Sequence, residues 1–174
     1  MKTASVQELK QELQSVPPAR LLELCLRLAR FKKENKELLT YLLFEAHDEE
    51  GYINSVNQLI DEGFAGVTNT TTYLLKKSLR KILRIANKYI RYTGSKQVEA
   101  AVLLHYCAQW KASGLPVDKA TVLVKIYEQQ LKKIAAAIAT LHEDLQYDYQ
   151  KELDSLQLPP GKGGLISKLF KKNR

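Results

Sequence analysis

The run YLLKKSLRKILRIANKYIRY, from Tyr73 to Tyr92, carries seven Lys or Arg residues and no Asp or Glu. Its leucines and isoleucines return every three or four residues, the period of one helix face and not of a strand. At about 100° per residue, Lys77, Arg80, Lys81, Arg84, Lys88 and Arg91 share an arc of roughly 100° along about 21 Å of axis. Leu75, Leu79, Ile82, Leu83, Ala86 and Ile90 fall opposite. The run is predicted to be an amphipathic helix, apolar toward a core and purely cationic away from it.

The helical period extends in both directions. Upstream, Val6, Leu9, Leu13 and Val16 share a face behind a Ser5–Glu8 capping box. Pro18 suits the first turn of a second helix, ARLLELCLRLARF, whose apolar residues cover most of its circumference and predict a central position. A third helix starts near Lys33 and contains KELLTYLLFEA, with Gly51 expected to bend or break it before YINSVNQLI. DEGFAGVTNTT reads as a loop that caps the basic helix near Thr71. That helix should stop at Gly94, and another should run from Ser95 to Ser113. After SGLPVD, with Asp118 as N-cap, a stripe begins at Leu123 and recurs through Tyr127, Leu131, Ile134, Ile138, Leu141, Leu145, Tyr149, Leu153 and Leu156. Its spacing averages about 3.67 residues, the period of a nearly straight helix. An unbroken helix over that span would be about 50 Å long.

The expected fold is therefore all-α, built of antiparallel helical hairpins and closed by one long C-terminal helix. LRLARFKKENKELLTYLLFEA and LRIANKYIRYTGSKQVEAAVLLHYCA echo one another as helix, basic turn and apolar helix, which suggests a repeat-like layout. Residues 1–157 are expected to form a single helical domain, and 158–174 a flexible, basic, amphipathic tail after QLPPGKGG. No apolar run approaches the ~20 residues that span a bilayer. The first residues lack the apolar stretch of a secretion signal. Cys25 and Cys107 lie in apolar helical patterns and are expected to be buried thiols, so a cytoplasmic address follows.

Charge is distributed in blocks. Eight basic residues and no acid lie between Glu62 and Glu99, which equals the chain's net charge of +8. Glu37, Glu45, Asp48, Glu49, Glu50, Asp61 and Glu62 precede them with no intervening Lys or Arg, and they are the obvious internal counter-charge.

Chemistry-bearing patterns are sparse. AHDEEGYINSVN sets Gly51 at a calcium-loop position, but Ala46 and Asn57 stand where the first and last carboxylates belong. His105 and Cys107 are two apart on a helix and diverge, and His142-Glu143 lacks the second histidine of a metalloprotease pair. PPGKGG has Leu156 where a phosphate loop needs glycine, and no Gly-x-Ser-x-Gly elbow occurs. SVQELKQEL followed by ELCLRL resembles the two helices of the SAP motif, a small DNA-binding element, over residues 5–28. VPPARL replaces the glycines and lysine of that motif's link, and the resemblance is not carried further. No catalytic residue, metal or cofactor is assigned.

The leading expectation is a non-enzymatic helical interaction or scaffold protein with a protein partner. Ala135, Ala136, Ala137 and Ala139 would admit close approach of a second copy. The first alternative is a nucleic-acid-binding protein using Lys77, Arg80, Lys81, Arg84, Lys88 and Arg91 on phosphates, with Tyr73 and Tyr92 for stacking. The second is an enzyme with a dispersed site. The bland reading of the cationic arc is a solvated face, or one compensated by the acidic block. In the tail, Leu165, Ile166, Leu169 and Phe170 would share one side of a short helix that docks on its own domain or on a partner, with membrane docking ranked last.

Overall fold

The computed structural model describes residues 2–68, 71–115 and 121–157. All regular structure among them is helical: α1 (Val6–Ser15), α2 (Pro18–Phe31), α3 (Lys33–Thr40), a π-helical turn (Tyr41–Glu45), α4 (Glu49–Ala65), α5 (Thr72–Thr93), α6 (Lys96–Ala112), α7 (Thr121–Ile138) and α8 (Glu143–Leu156). No helix of the described residues is long and apolar enough to cross a membrane. Two compact units meet in sequence between His47 and Asp48. The tail residues Leu165, Ile166, Leu169 and Phe170, like the Asp118 cap, lie outside the described residues.

In the N-terminal unit the local signals act as read. Ser5 and Glu8 close a reciprocal capping box, with Glu8 accepting from the Ser5 amide at 2.7 Å. Pro18 occupies the first turn of α2. Lys32 is extended and separates α2 from α3, and Asn35 donates to the Leu28 carbonyl at 2.9 Å across the break. The predicted central position of α2 is not found. None of its residues is buried, and Leu22, Leu26, Leu28 and Phe31 are exposed. Cys25 is exposed too, contrary to expectation, because α2 has no helix packed over that side within its unit.

The second unit holds the core. Its central element is α6, which buries Val98, Ala100, Val102, Leu103, Leu104, Tyr106, Cys107 and Trp110 and packs against α4, α5, α7 and α8. Tyrosine hydroxyls fix the helix order. Tyr52 at the start of α4 donates to the Tyr89 carbonyl near the end of α5, at 3.1 Å. Tyr106 of α6 donates to Leu79 of α5 at 3.1 Å, and Tyr127 of α7 to Leu156 of α8 at 3.0 Å. These bonds set α4/α5, α5/α6 and α7/α8 as antiparallel pairs. Phe64, Tyr106, Trp110 and Tyr127 form a continuous aromatic column with centroids 5.4–6.0 Å apart.

Three predicted boundaries move. The loop read at DEGFAGVTNTT loses its first five residues, because α4 continues through Ala65. The break before YINSVNQLI falls at Asp48 and not at Gly51, because the Asp48 carboxylate accepts the Gly51 amide at 2.9 Å and starts α4 there. The single long C-terminal helix is two helices. Thr140 and Leu141 bond back only three residues, to Ala137 and Ile138, and His142 turns extended. Glu143 and Asp144 then favour a fresh N-terminus through the helix dipole, and α8 folds back against α7 and α6. The two echoing segments form helix pairs of unequal build: α2 and α3 have 14 and 8 residues, whereas α5 and α6 have 22 and 17.

The contact between α4 and α5 depends on a missing side chain. A Cβ at Gly63 would lie 2.8 Å from Ile82 Cγ1, inside van der Waals contact. Overlap of this kind costs about 1–3 kcal/mol, against about 1 kcal/mol of helix propensity gained by alanine. Gly63→Ala is therefore expected to destabilise by up to about 2 kcal/mol in urea unfolding, with Ile82→Val in the same chain restoring part of the loss.

Candidate functional site

The cationic face follows from how α5 is held. Thr71 caps its start by accepting the Leu74 amide, and Gly94, at φ 64°, ends it in a left-handed turn that favours glycine. Between these ends Leu75, Leu79, Ile82, Ala86 and Ile90 are buried, so the helix cannot rotate without exposing its apolar side. Lys77, Arg80, Lys81, Arg84 and Arg91 are left exposed as predicted. Lys88 is half-buried, and its ammonium lies 4.5 Å from the centre of the Tyr89 ring.

The carboxylates of α4 are directed elsewhere. Asp48 caps its own helix, and Asp61 Oδ1 lies 2.6 Å from His105 Nε2 on α6. Glu62 accepts from Gln58 at 3.4 Å within α4. Among the described residues no ion pair joins Lys76, Lys77, Arg80, Lys81, Arg84 or Arg91 to a carboxylate. Of the two tyrosines expected to stack on bases, Tyr73 is 74% exposed at the head of the arc. Tyr92 is half-buried and meets Tyr89 edge-on at 5.8 Å.

The remaining candidates separate. Among the described residues no group of three or more His, Cys, Asp or Glu side chains converges as a metal site. The calcium-like run holds the start of α4. Cys107 is fully buried, and its pKa is pushed up by that burial, so it is held as a thiol and not as a nucleophile. Ala137 belongs to the chain's own core, Ala135 is half-buried, and Ala136 and Ala139 face outward. Nothing in the residue pattern announces the Asp61–His105 pair. The two residues lie 44 apart, and each sits at the margin of an apolar stripe where either a core or a surface role fits.

Compared with known proteins, the chain matches no family model, no curated protein and no solved structure.

The buried hydroxyls and the thiol also set an alkaline limit. Burial, and secondarily the neighbouring Cys107, pushes the phenols of Tyr106 and Tyr127 up. A group whose pKa is raised by folding contributes stability that is complete below its unfolded pKa and is lost as pH rises above it. Unfolding free energy should hold to about pH 8, then fall as Cys107 and the tyrosines pass their unfolded values of about 8.5 and 10. Replacing Tyr106 by Phe should flatten the slope above about pH 10 by about 1.4 kcal/mol per pH unit, read from urea titrations at stepped pH.

Proposed function

We propose that this is a non-enzymatic helical interaction protein of the cytoplasm that holds a nucleic-acid backbone along α5. The observation carrying this reading is that, among the described residues, no carboxylate pairs with Lys77, Arg80, Lys81, Arg84 or Arg91, although the acidic helix α4 packs directly against α5. Within Lys76–Arg84, five like-charge pairs lie three or four residues apart. At ~0.2–0.5 kcal/mol each, they cost on the order of 1–2.5 kcal/mol at low salt. A strand of phosphates relieves that cost along the whole arc, and Tyr73 adds a ring for stacking at one end. An anionic membrane fits less well, because the apolar side of α5 is already spent in the core.

Fluorescence anisotropy with labelled single-stranded oligonucleotides between 50 and 200 mM salt tests the proposal. Five phosphate contacts predict a log–log salt slope of about −3.5 for single strands. Arg80→Glu with Arg84→Glu should reduce binding more than tenfold while leaving circular dichroism unchanged, both side chains being exposed. Binding that is flat with salt, or equal in the double variant, sinks the reading.

A second reading applies to the N-terminal unit. Val6, Phe31 and Phe44 are 83%, 76% and 67% exposed, and Leu42 and Leu43 beside Phe44 are exposed as well. So much large apolar surface on one small unit supports a protein partner or self-association there. Sedimentation velocity of the wild type against Phe31→Glu with Phe44→Glu is expected to show loss of a concentration-dependent species.

A further inference from the structure

Within the second unit, α4, α6 and α8 border a cleft of about 360 Å³ that plays no part in the α5 surface. The volume lies in the range of small-molecule sites. Ala101 and Ala108 of α6 keep it open, and Leu104 and Leu156 give it an apolar side. Asn57 from α4, His105 from α6, and Tyr149 and Glu152 from α8 supply its polar groups.

Two of those groups point to one kind of ligand. Asn57 Oδ1 is buried and, among the described residues, has no hydrogen-bond partner, an arrangement that is costly if it stays unmet. An unmet acceptor calls for a donor. The Glu152 carboxylate forms no ion pair among the described residues, and the neighbouring His105 and Lys111 are engaged elsewhere. His105 is paired with Asp61 at 2.6 Å, and the Lys111 ammonium is bonded to the Ser155 carbonyl at 2.7 Å. Burial pushes the Tyr149 phenol up, a bond to Gln97 opposes this, and the charges of Glu152 and Glu49 add to the rise. The phenol therefore stays protonated. The charged groups around the cleft are thus Asp61, Glu49 and Glu152 against Lys111, and the free valence is that of an acceptor.

We infer that this cleft binds a small organic cation, an alkylammonium or alkylguanidinium, whose N–H groups reach Asn57 Oδ1 and the Glu152 carboxylate while its alkyl stem lies on Leu104 and the two alanines. The cation can be a free amine or the side chain of a lysine or arginine in a peptide, since both present the same head and stem.

Titrating the full chain by 1H–15N correlation spectroscopy with n-butylammonium, n-butylguanidinium and a capped lysine amide tests this. Saturable shifts confined to residues around Asn57, Leu104 and Glu152 are expected, with dissociation constants on the order of 1 mM for such small ligands. Glu152→Gln, an exposed position, should weaken binding by about fivefold, the scale of a part-exposed ion pair. Asn57→Leu, which removes the orphan oxygen at similar volume, should weaken it independently. Tighter binding of the capped lysine than of butylammonium assigns the cleft to a peptide side chain, and the reverse order assigns it to a free amine. The inference fails if 1-butanol shifts the same resonances with equal affinity, if both variants bind butylammonium like the wild type, or if no saturable shift appears.

Discussion

The bond from the Tyr106 hydroxyl to the Leu79 carbonyl is the constraint from which the second unit takes its form. It joins the central helix to the basic one inside the core, where a hydroxyl without an acceptor would be costly. The ring that carries it stands in the aromatic column running from Phe64 on α4 to Tyr127 on α7. Tyr106 thereby ties α4, α5 and α6 together, and Trp110 carries the column on to α7. Tyr52 and Tyr127 repeat the device at the margins, each ending on a main-chain carbonyl of a neighbouring helix. Directional bonds of this sort fix register in a helical core more narrowly than apolar packing alone.

The surface of α5 is a consequence of that fixation. With Leu79 and Ile82 held by Tyr106 and by the close approach at Gly63, the helix has one permitted rotation. The cationic arc is then directed outward whatever its electrostatic cost. Neutralisation from within would need α4 to turn its carboxylates toward α5, but Asp61 faces α6 and Asp48 is committed to its own helix terminus. Core geometry therefore sets the charge display of α5.

Much of this was legible in the residues. The caps at Ser5, Thr71 and Ser95 and the stop at Gly94 rest on local chemistry, and local chemistry is what a sequence states directly. The stripe from Leu123 to Leu156 correctly marked core-facing positions such as Leu123, Tyr127, Ile134 and Leu153. It failed to show the turn at Ala139–His142, because the count from Ile138 through Leu141 to Leu145 stays at three and four residues across the bend. Periodicity registers spacing and not direction. In α2, apolar residues around the whole helix implied enclosure, yet enclosure requires neighbours that its own unit does not provide. The role of α6 as the centre was equally hidden, since a helix apolar on all sides reads alike whether it is enclosed or bare. The Asp61–His105 pair and the orphan oxygen of Asn57 arise only when α4 and α6 are brought side by side.

The aromatic column contains the chain's single tryptophan, Trp110, wholly enclosed between Tyr106 and Tyr127. Indole emission from this protein consequently originates in one place, the junction of α6 and α7, and phenol-to-indole energy transfer from two touching donors feeds it. The optical signal is sensitive to loosening of the second unit. Light absorbed almost anywhere in the core thus reports on a contact a few ångströms wide.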